Sequence, residues 1–172
     1  MGLDLGLVAV KSKIDFSQSD WENAFNDDEE LSYGRKTWNI YHILKDLASK
    51  DNPEGSKYEV YWISREVYDS FIELIENALN EGCGYKKLKK ALDFVEQWKE
   101  KSWDDVYEDE KLYKKFRKTW HRVTEFVDAF SDISPTLGYE WDAHVLLSWY
   151  DDRKKVRATY NEGKEIYMYA SY

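Results

Sequence analysis

Aromatic side chains set the first constraint on this chain. Eight Trp, fourteen Tyr and seven Phe stand among its 172 residues. So many large rings cannot all face water, because contiguous exposed apolar patches drive association. Most must therefore be core. The rest, rimmed by charge, are candidates for contact with a partner, since interface anchors are enriched in Trp, Tyr and Arg. The length suits one domain over residues 1–172.

Charge narrows the partners. Lys and Arg number 25 against 34 Asp and Glu, a net charge of −9. Such a chain is repelled by phosphate backbones and anionic bilayers, so neither direct nucleic-acid binding nor a membrane role is expected. The apolar runs are only a few residues long, too short to span a bilayer. One cysteine cannot build an internal disulfide framework and fits a reducing compartment. Met1-Gly2-Leu3-Asp4 lacks the basic and apolar regions of a secretory leader, so a cytoplasmic location is expected. Gly6 stands where the myristoylation pattern needs Ser or Thr.

Hydrophobic periodicity gives an element order. Leu3 to Lys13 reads as a strand with apolar residues on both parities, hence buried on both faces. Ser17 to Ser32 reads as a polar connection, with a short helical turn placing Trp21 and Phe25 at i, i+4. Arg35 to Ser49 reads as a helix, and Tyr58 to Ile63 as an aromatic, β-branched strand. Ser64 is a good N-cap for a helix that ends near Gly82. Helices follow over Lys86–Lys101 and Glu108–Phe130, separated by a break at Ser102–Tyr107. Trp141 to Tyr160 fits a helix better than a hairpin, which puts Arg153 on its apolar face. Ile166 to Tyr172 is a terminal strand. The pattern predicts an α+β fold. A small, mostly antiparallel sheet of N-terminal, central and C-terminal strands is covered by four or five helices, with residues 102–140 as a helical insertion.

The segment from Tyr33 to His42 carries the main candidate site. If it is helical, Arg35, Asn39, His42 and Asp46 share one ridge, flanked by Trp38. A guanidinium fork, an amide and an imidazole on one rigid face suit an anion or a partner carboxylate. A solvated polar face with one tethered indole is the plainer alternative. We therefore take Arg35, Trp38, Asn39 and His42 as the candidate binding residues.

Catalytic and metal signals are faint. His42, His121 and His144 lie far apart in sequence and match no zinc-ligand spacing. Cys83, between Gly82 and Gly84, has Lys86 and Lys87 close in sequence, but a plain helix end, which uses Gly, is by far the better explanation. No nucleophile elbow, phosphate-cradling glycine loop or dinucleotide fingerprint occurs, so no catalytic residue, metal or cofactor is assigned. The acidic clusters Asp27–Glu30 and Asp104–Glu110 admit one further idea, a DNA-mimicking inhibitor that fills a basic nucleic-acid channel.

The start Met1-Gly2-Leu3-Asp4 and the stretch Tyr33-Gly34-Arg35-Lys36-Thr37-Trp38-Asn39-Ile40-Tyr41-His42 resemble a group of small uncharacterised bacteriophage proteins. Those proteins open with MGLDMYL and carry a YWRKAN-x-IH-x-WF-like helix. The likeness continues through Val60-Tyr61-Trp62-Ile63-Ser64-Arg65-Glu66 and the aromatic tail Tyr167–Tyr172, about half the chain. Gly34 replaces the family's Trp, and one extra residue precedes Asn39, although the N-x-x-H spacing survives as Asn39 and His42. The resemblance implies a phage origin rather than a reaction, and so a host cytoplasm. The leading expectation is an accessory protein that binds and inhibits a host protein, plausibly an immune effector. The competing expectation is binding or cleavage of a small anionic metabolite such as a signalling nucleotide. In that reading Arg35 and Lys36 hold phosphate, Trp38 stacks the base and His42 acts as acid or base.

Overall fold

A first strand with apolar residues on both parities needs cover above and below, and the fold supplies it. The computed structural model describes residues 3–35, 38–53, 58–97, 103–131 and 139–171. The strands are β1 (Asp4–Val10), β2 (Glu29–Arg35), β3 (Val60–Trp62) and β4 (Glu165–Ser171). They form one antiparallel sheet in the order β2-β1-β4-β3. The helices are α1 (Trp38–Ala48), α2 (Arg65–Glu81), α3 (Tyr85–Glu96), α4 (Trp103–Glu108), α5 (Glu110–Ser131), α6 (Tyr139–Asp151) and α7 (Arg153–Asn161). The fold is α+β.

Register assigns every strand residue to a face, because directly opposed residues point the same way. Leu5, Leu7 and Ala9 share one face with Ile166, Met168 and Tyr61, and all are buried. On this side α1 packs on β3 and α7 on β4. Val8 and Val10 share the other face with Tyr167, Val60 and Trp62, and here the cover is the 11–28 connection. Gly6 also lies on that face, opposite Tyr169. A Cβ at Gly6 would sit inside the Tyr169 ring, 2.6 Å from its Cζ. Glycine is needed there for close approach.

Both sheet edges are partly capped by side chains, which blunts their capacity to recruit another strand. On β2, the Trp149 indole N–H donates to the Tyr33 carbonyl (3.2 Å) and the Lys155 ammonium to the Glu30 carbonyl (2.9 Å). On β3, the Asn52 amide both accepts from the Trp62 N–H (3.1 Å) and donates to its carbonyl (2.9 Å), as a neighbouring strand would. Ser64 caps α2 as expected, accepting from the Val67 N–H at 3.3 Å.

The chain divides into two compact units, residues 1–73 with 148–172, and residues 74–147. The second contains the described part of the 102–140 stretch. Its core joins Leu88, Ala91, Leu92 and Val95 of α3 with Val123, Phe126, Val127 and Phe130 of α5, and Val106 of α4 packs with Val95 and Phe116. Asp109 ends α4 and caps α5, its carboxylate accepting from the Lys111 and Leu112 N–H groups at 3.0 Å.

Several boundaries differ from the sequence reading. β2 was hidden within the polar connection and the start of the expected helix. Its acidic first residues and Gly34 carry low strand propensity, and pairing with β1 overrides that. A register shift between Leu7 and Val8 further blurs its alternation. Arg35 therefore ends a strand, and the helix begins only at Trp38. The expected break at Ser102–Tyr107 is largely the helix α4. Trp141–Tyr160 is helical, but as two helices meeting at Asp152. That junction accounts for Arg153: its guanidinium caps the Tyr150 carbonyl (2.9 Å) and stacks 3.9 Å over the Tyr150 ring. The expected helix residues Trp98–Lys101 lie outside the described residues, as does most of the stretch 131–138, where Pro135 and Gly138 suggest that the long helix ends.

Two outcomes follow from this packing. Gly6→Ala should lower stability by about 1–3 kcal/mol in urea denaturation, the usual cost of overpacking. In a Tyr169→Ser background, where the clashing ring is gone, the same Gly6→Ala change should cost much less. Asp152, whose carboxylate accepts from Ser32 Oγ at 2.9 Å, has its pKa raised by burial. A raised carboxyl pKa means the folded state holds its proton more tightly, so ionisation weakens the fold as pH rises through that value. Asp152→Asn should therefore be more stable than wild type at pH 7. The gain should shrink towards zero in melts taken below the ordinary aspartate range.

Candidate functional site

The residues nominated from the sequence do not share one helix. Arg35 closes β2, with its Nε 3.5 Å from Asp4 Oδ1 across the β1–β2 pair. It falls on the Gly6 face of the sheet, together with Tyr33 and Tyr169. His42 is exposed on α1, its ring 5.4 Å from that of Tyr41. Trp38 and Asn39 open α1, and their side chains lie outside the described residues. The ridge of four thus loses its first member to a strand, while His42 and Asp46 remain one turn apart and exposed on α1.

A different group is brought together around the 11–28 connection. Residues 15–30 contain seven acidic side chains and no Lys or Arg. Within them Phe16, Trp21 and Phe25 fold back over the sheet. Phe16 and Phe25 meet the Tyr167 ring edge-on at 6.3 and 6.4 Å, and Trp21 lies 5.1 Å from Phe16 and 6.1 Å from Phe25. The short helical turn expected at Trp21 and Phe25 is a single 3₁₀ turn over Trp21–Phe25. Tyr167 also anchors the entry to the connection, its hydroxyl accepting the Ile14 N–H at 2.8 Å.

On top of this cluster Tyr58 stacks against Trp21, with centroids 5.0 Å apart and planes within 14°. Tyr58 is 71% exposed, so the pair presents a ring to solvent. Its backbone is unusual. Tyr58 and Glu59 are consecutive non-glycine residues in the left-handed region, at φ 57° and 58°. Each such residue costs roughly 1–2 kcal/mol, and backbone strain of this kind concentrates at functional sites. Two hydrogen bonds hold it: Tyr41 Oη donates to the Glu59 carboxylate, and the Ala170 N–H donates to the Glu59 carbonyl at 3.2 Å. Burial raises the Tyr41 phenol far above its ordinary value, so it remains a donor.

Beside the cluster lies a cleft of about 440 Å³, walled by Lys13, Phe16, Asn52, Val60, Trp62 and Tyr167. Lys13 Nζ sits 4.0 Å over the Trp62 ring, whose indole N–H donates to Glu165 at 2.8 Å. The Trp62 ring is thus fixed at both edge and face.

No family model, curated protein or solved structure matches this chain.

Other sequence-flagged groups resolve more simply. Burial pushes the Cys83 thiol up, the opposite of a reactive thiolate. Among the described residues no cluster of three or more His, Cys, Asp or Glu is arranged to hold a metal ion, and no helix is long and apolar enough to cross a membrane. Sequence reading had noted Trp21, Phe25 and the Asp27–Glu30 run separately. The signal that joins them, an acid-only window studded with three aromatics, was present in the sequence. The contribution of Tyr58 was not, because left-handed backbone at a tyrosine has no sequence signature.

The strain at Tyr58 can be measured. Tyr58→Gly removes a stack worth about 0.5–1.5 kcal/mol and also the left-handed penalty, so stability should stay within about 1 kcal/mol of wild type. Tyr58→Val loses the stack and places a β-branched residue in the same backbone region, and should fall about 1–3 kcal/mol below the glycine variant in urea denaturation.

Proposed function

We propose that this protein acts by binding rather than by catalysis, docking the acidic aromatic platform of residues 15–30 and Tyr58 onto a basic surface of another protein. One observation carries this reading: the Trp21–Tyr58 stack, held at the surface on strained backbone within a window of seven acids and no bases. Buried aromatic anchors supply most of the affinity at interfaces, and surrounding charge steers encounter and selects the partner. The resemblance to small bacteriophage proteins gives the finer version, an accessory factor that binds and inhibits a host protein, with an immune effector as the natural target. A target with a basic nucleic-acid channel would also satisfy the DNA-mimic idea. Arg35 and His42 are offered as secondary contacts.

The test is affinity capture from host lysate with wild type, Trp21→Ala and Tyr58→Gly, each first shown to be folded by circular dichroism. One stoichiometric partner with a basic surface is expected. It should be lost, or weakened at least tenfold, in both variants, and released as salt rises from 0.1 to 0.5 M through screening. A partner retained equally by both variants, or one indifferent to salt, overturns the reading.

A further inference from the structure

The second compact unit carries a groove of quite different character. Its volume is about 450 Å³, and Tyr107 of α4 with Tyr113, Phe116, Arg117, Trp120 and His121 of α5 line it. Aromatic rings supply most of its wall. Tyr107 and Tyr113 are tilted at 46° with centroids 5.3 Å apart, and Phe116 and Trp120 are parallel within 13° at 6.0 Å. Tyr107 is 59% exposed, a large open ring at the mouth. The basic side chains lie along one side. Arg117 holds its guanidinium 5.8 Å from the Tyr113 centroid, and His121 follows one turn later, 3.3 Å from Glu125.

The α5 side of the groove is basic, whereas Tyr107 stands among Asp104, Asp105, Glu108, Asp109 and Glu110. Residues 111–122 contain six Lys or Arg and no acid, in a chain whose net charge is −9. At 100° per residue Lys114 falls next to Arg117 and His121 on the same flank, where it pairs with Glu110 at 2.6 Å. Stacking rings beside a guanidinium suit a ligand with a planar heterocycle at one end and a phosphate at the other. The volume falls within the range of small-molecule pockets, about 300–1,000 Å³. The net negative charge opposes a long polyanion while leaving a single nucleotide little affected.

We propose that the α4–α5 groove binds a nucleoside phosphate, its base stacked on Tyr107 and neighbouring rings and its phosphate held by Arg117 with His121 and Lys114 alongside. This goes beyond protein-partner binding, uses none of the platform residues, and stands or fails separately from it.

Isothermal titration of the full chain with AMP, GMP, CMP and UMP tests it, with adenosine, inorganic phosphate and an eight-residue oligothymidylate as controls. At least one mononucleotide should bind saturably at submillimolar concentration, at least about tenfold tighter than adenosine or phosphate. Arg117→Ala should remove the advantage over adenosine, and Tyr107→Ala should weaken nucleotide binding about tenfold. Both side chains are exposed, so the variants should fold, as circular dichroism will check. Absence of mononucleotide binding at millimolar concentration overturns the proposal, as does binding unchanged in both variants. Binding no better than phosphate would reduce the groove to a basic patch, and tighter binding of the oligonucleotide would make it a single-strand site. Either result replaces the proposal.

Discussion

The pairing of β1 with β4 is the interaction on which the sheet depends. Seven consecutive residues of β1, Asp4 to Val10, face Ser171 to Glu165 in unbroken register. The register fixes which residues enter each core. It sends Leu5, Leu7, Ile166 and Met168 towards the helices, and Val8, Val10 and Tyr167 towards the 11–28 connection. A slip of one residue would exchange these sets, bring Asp4 to the helical side and detach Tyr167 from Ile14. The aromatic platform is thus a product of sheet register, since Tyr167 is both a strand residue and the floor under Phe16 and Phe25.

Much of this was legible in the sequence, where local pattern and tertiary demand agree. A short apolar run on both parities revealed β1, an aromatic tail revealed β4, and amphipathic stripes revealed α1, α2, α3 and α5. Ser64 announced a cap that the structure uses. The readings failed where one residue type served two purposes. Glu29 and Glu30 look like solvated loop acids, yet they begin a strand, with Glu29 bridged by Lys155 and Lys164. The wheel that joined Trp141 to Tyr160 had no means of seeing the corner at Asp152, because both halves keep helical spacing. The candidate site suffered most from this limit. Its ridge required Arg35 to be helical, and a single misplaced boundary moved the guanidinium onto a sheet. The Trp21–Tyr58 stack joins residues 37 apart, a distance that periodicity does not reach.

Net charge conceals how the ionisable groups are distributed. An acid-only window at 15–30, with seven acids, and a base-only window at 111–122, with six bases, nearly cancel, so most of the −9 comes from the rest of the chain. Each window is interleaved with aromatics and sits in a different compact unit. Aromatics placed inside a field of one sign gain selectivity that neither feature gives alone: the ring supplies area, and the field decides which partners approach.

The strand order has a consequence for how the molecule comes into being. Of the four described strands β4 is made last, yet it occupies an interior position with β1 on one side and β3 on the other. As the chain leaves the ribosome, β1 can zip onto β2 early, but one flank of that hairpin and one flank of β3 stay bare until some hundred residues more have been translated. The nascent chain therefore carries two sticky edges through most of its synthesis, and its maturation is gated by arrival of the final strand. Stalling or truncation just short of residue 165 would leave a species suited to chaperone capture or aggregation, however well its helices had already packed.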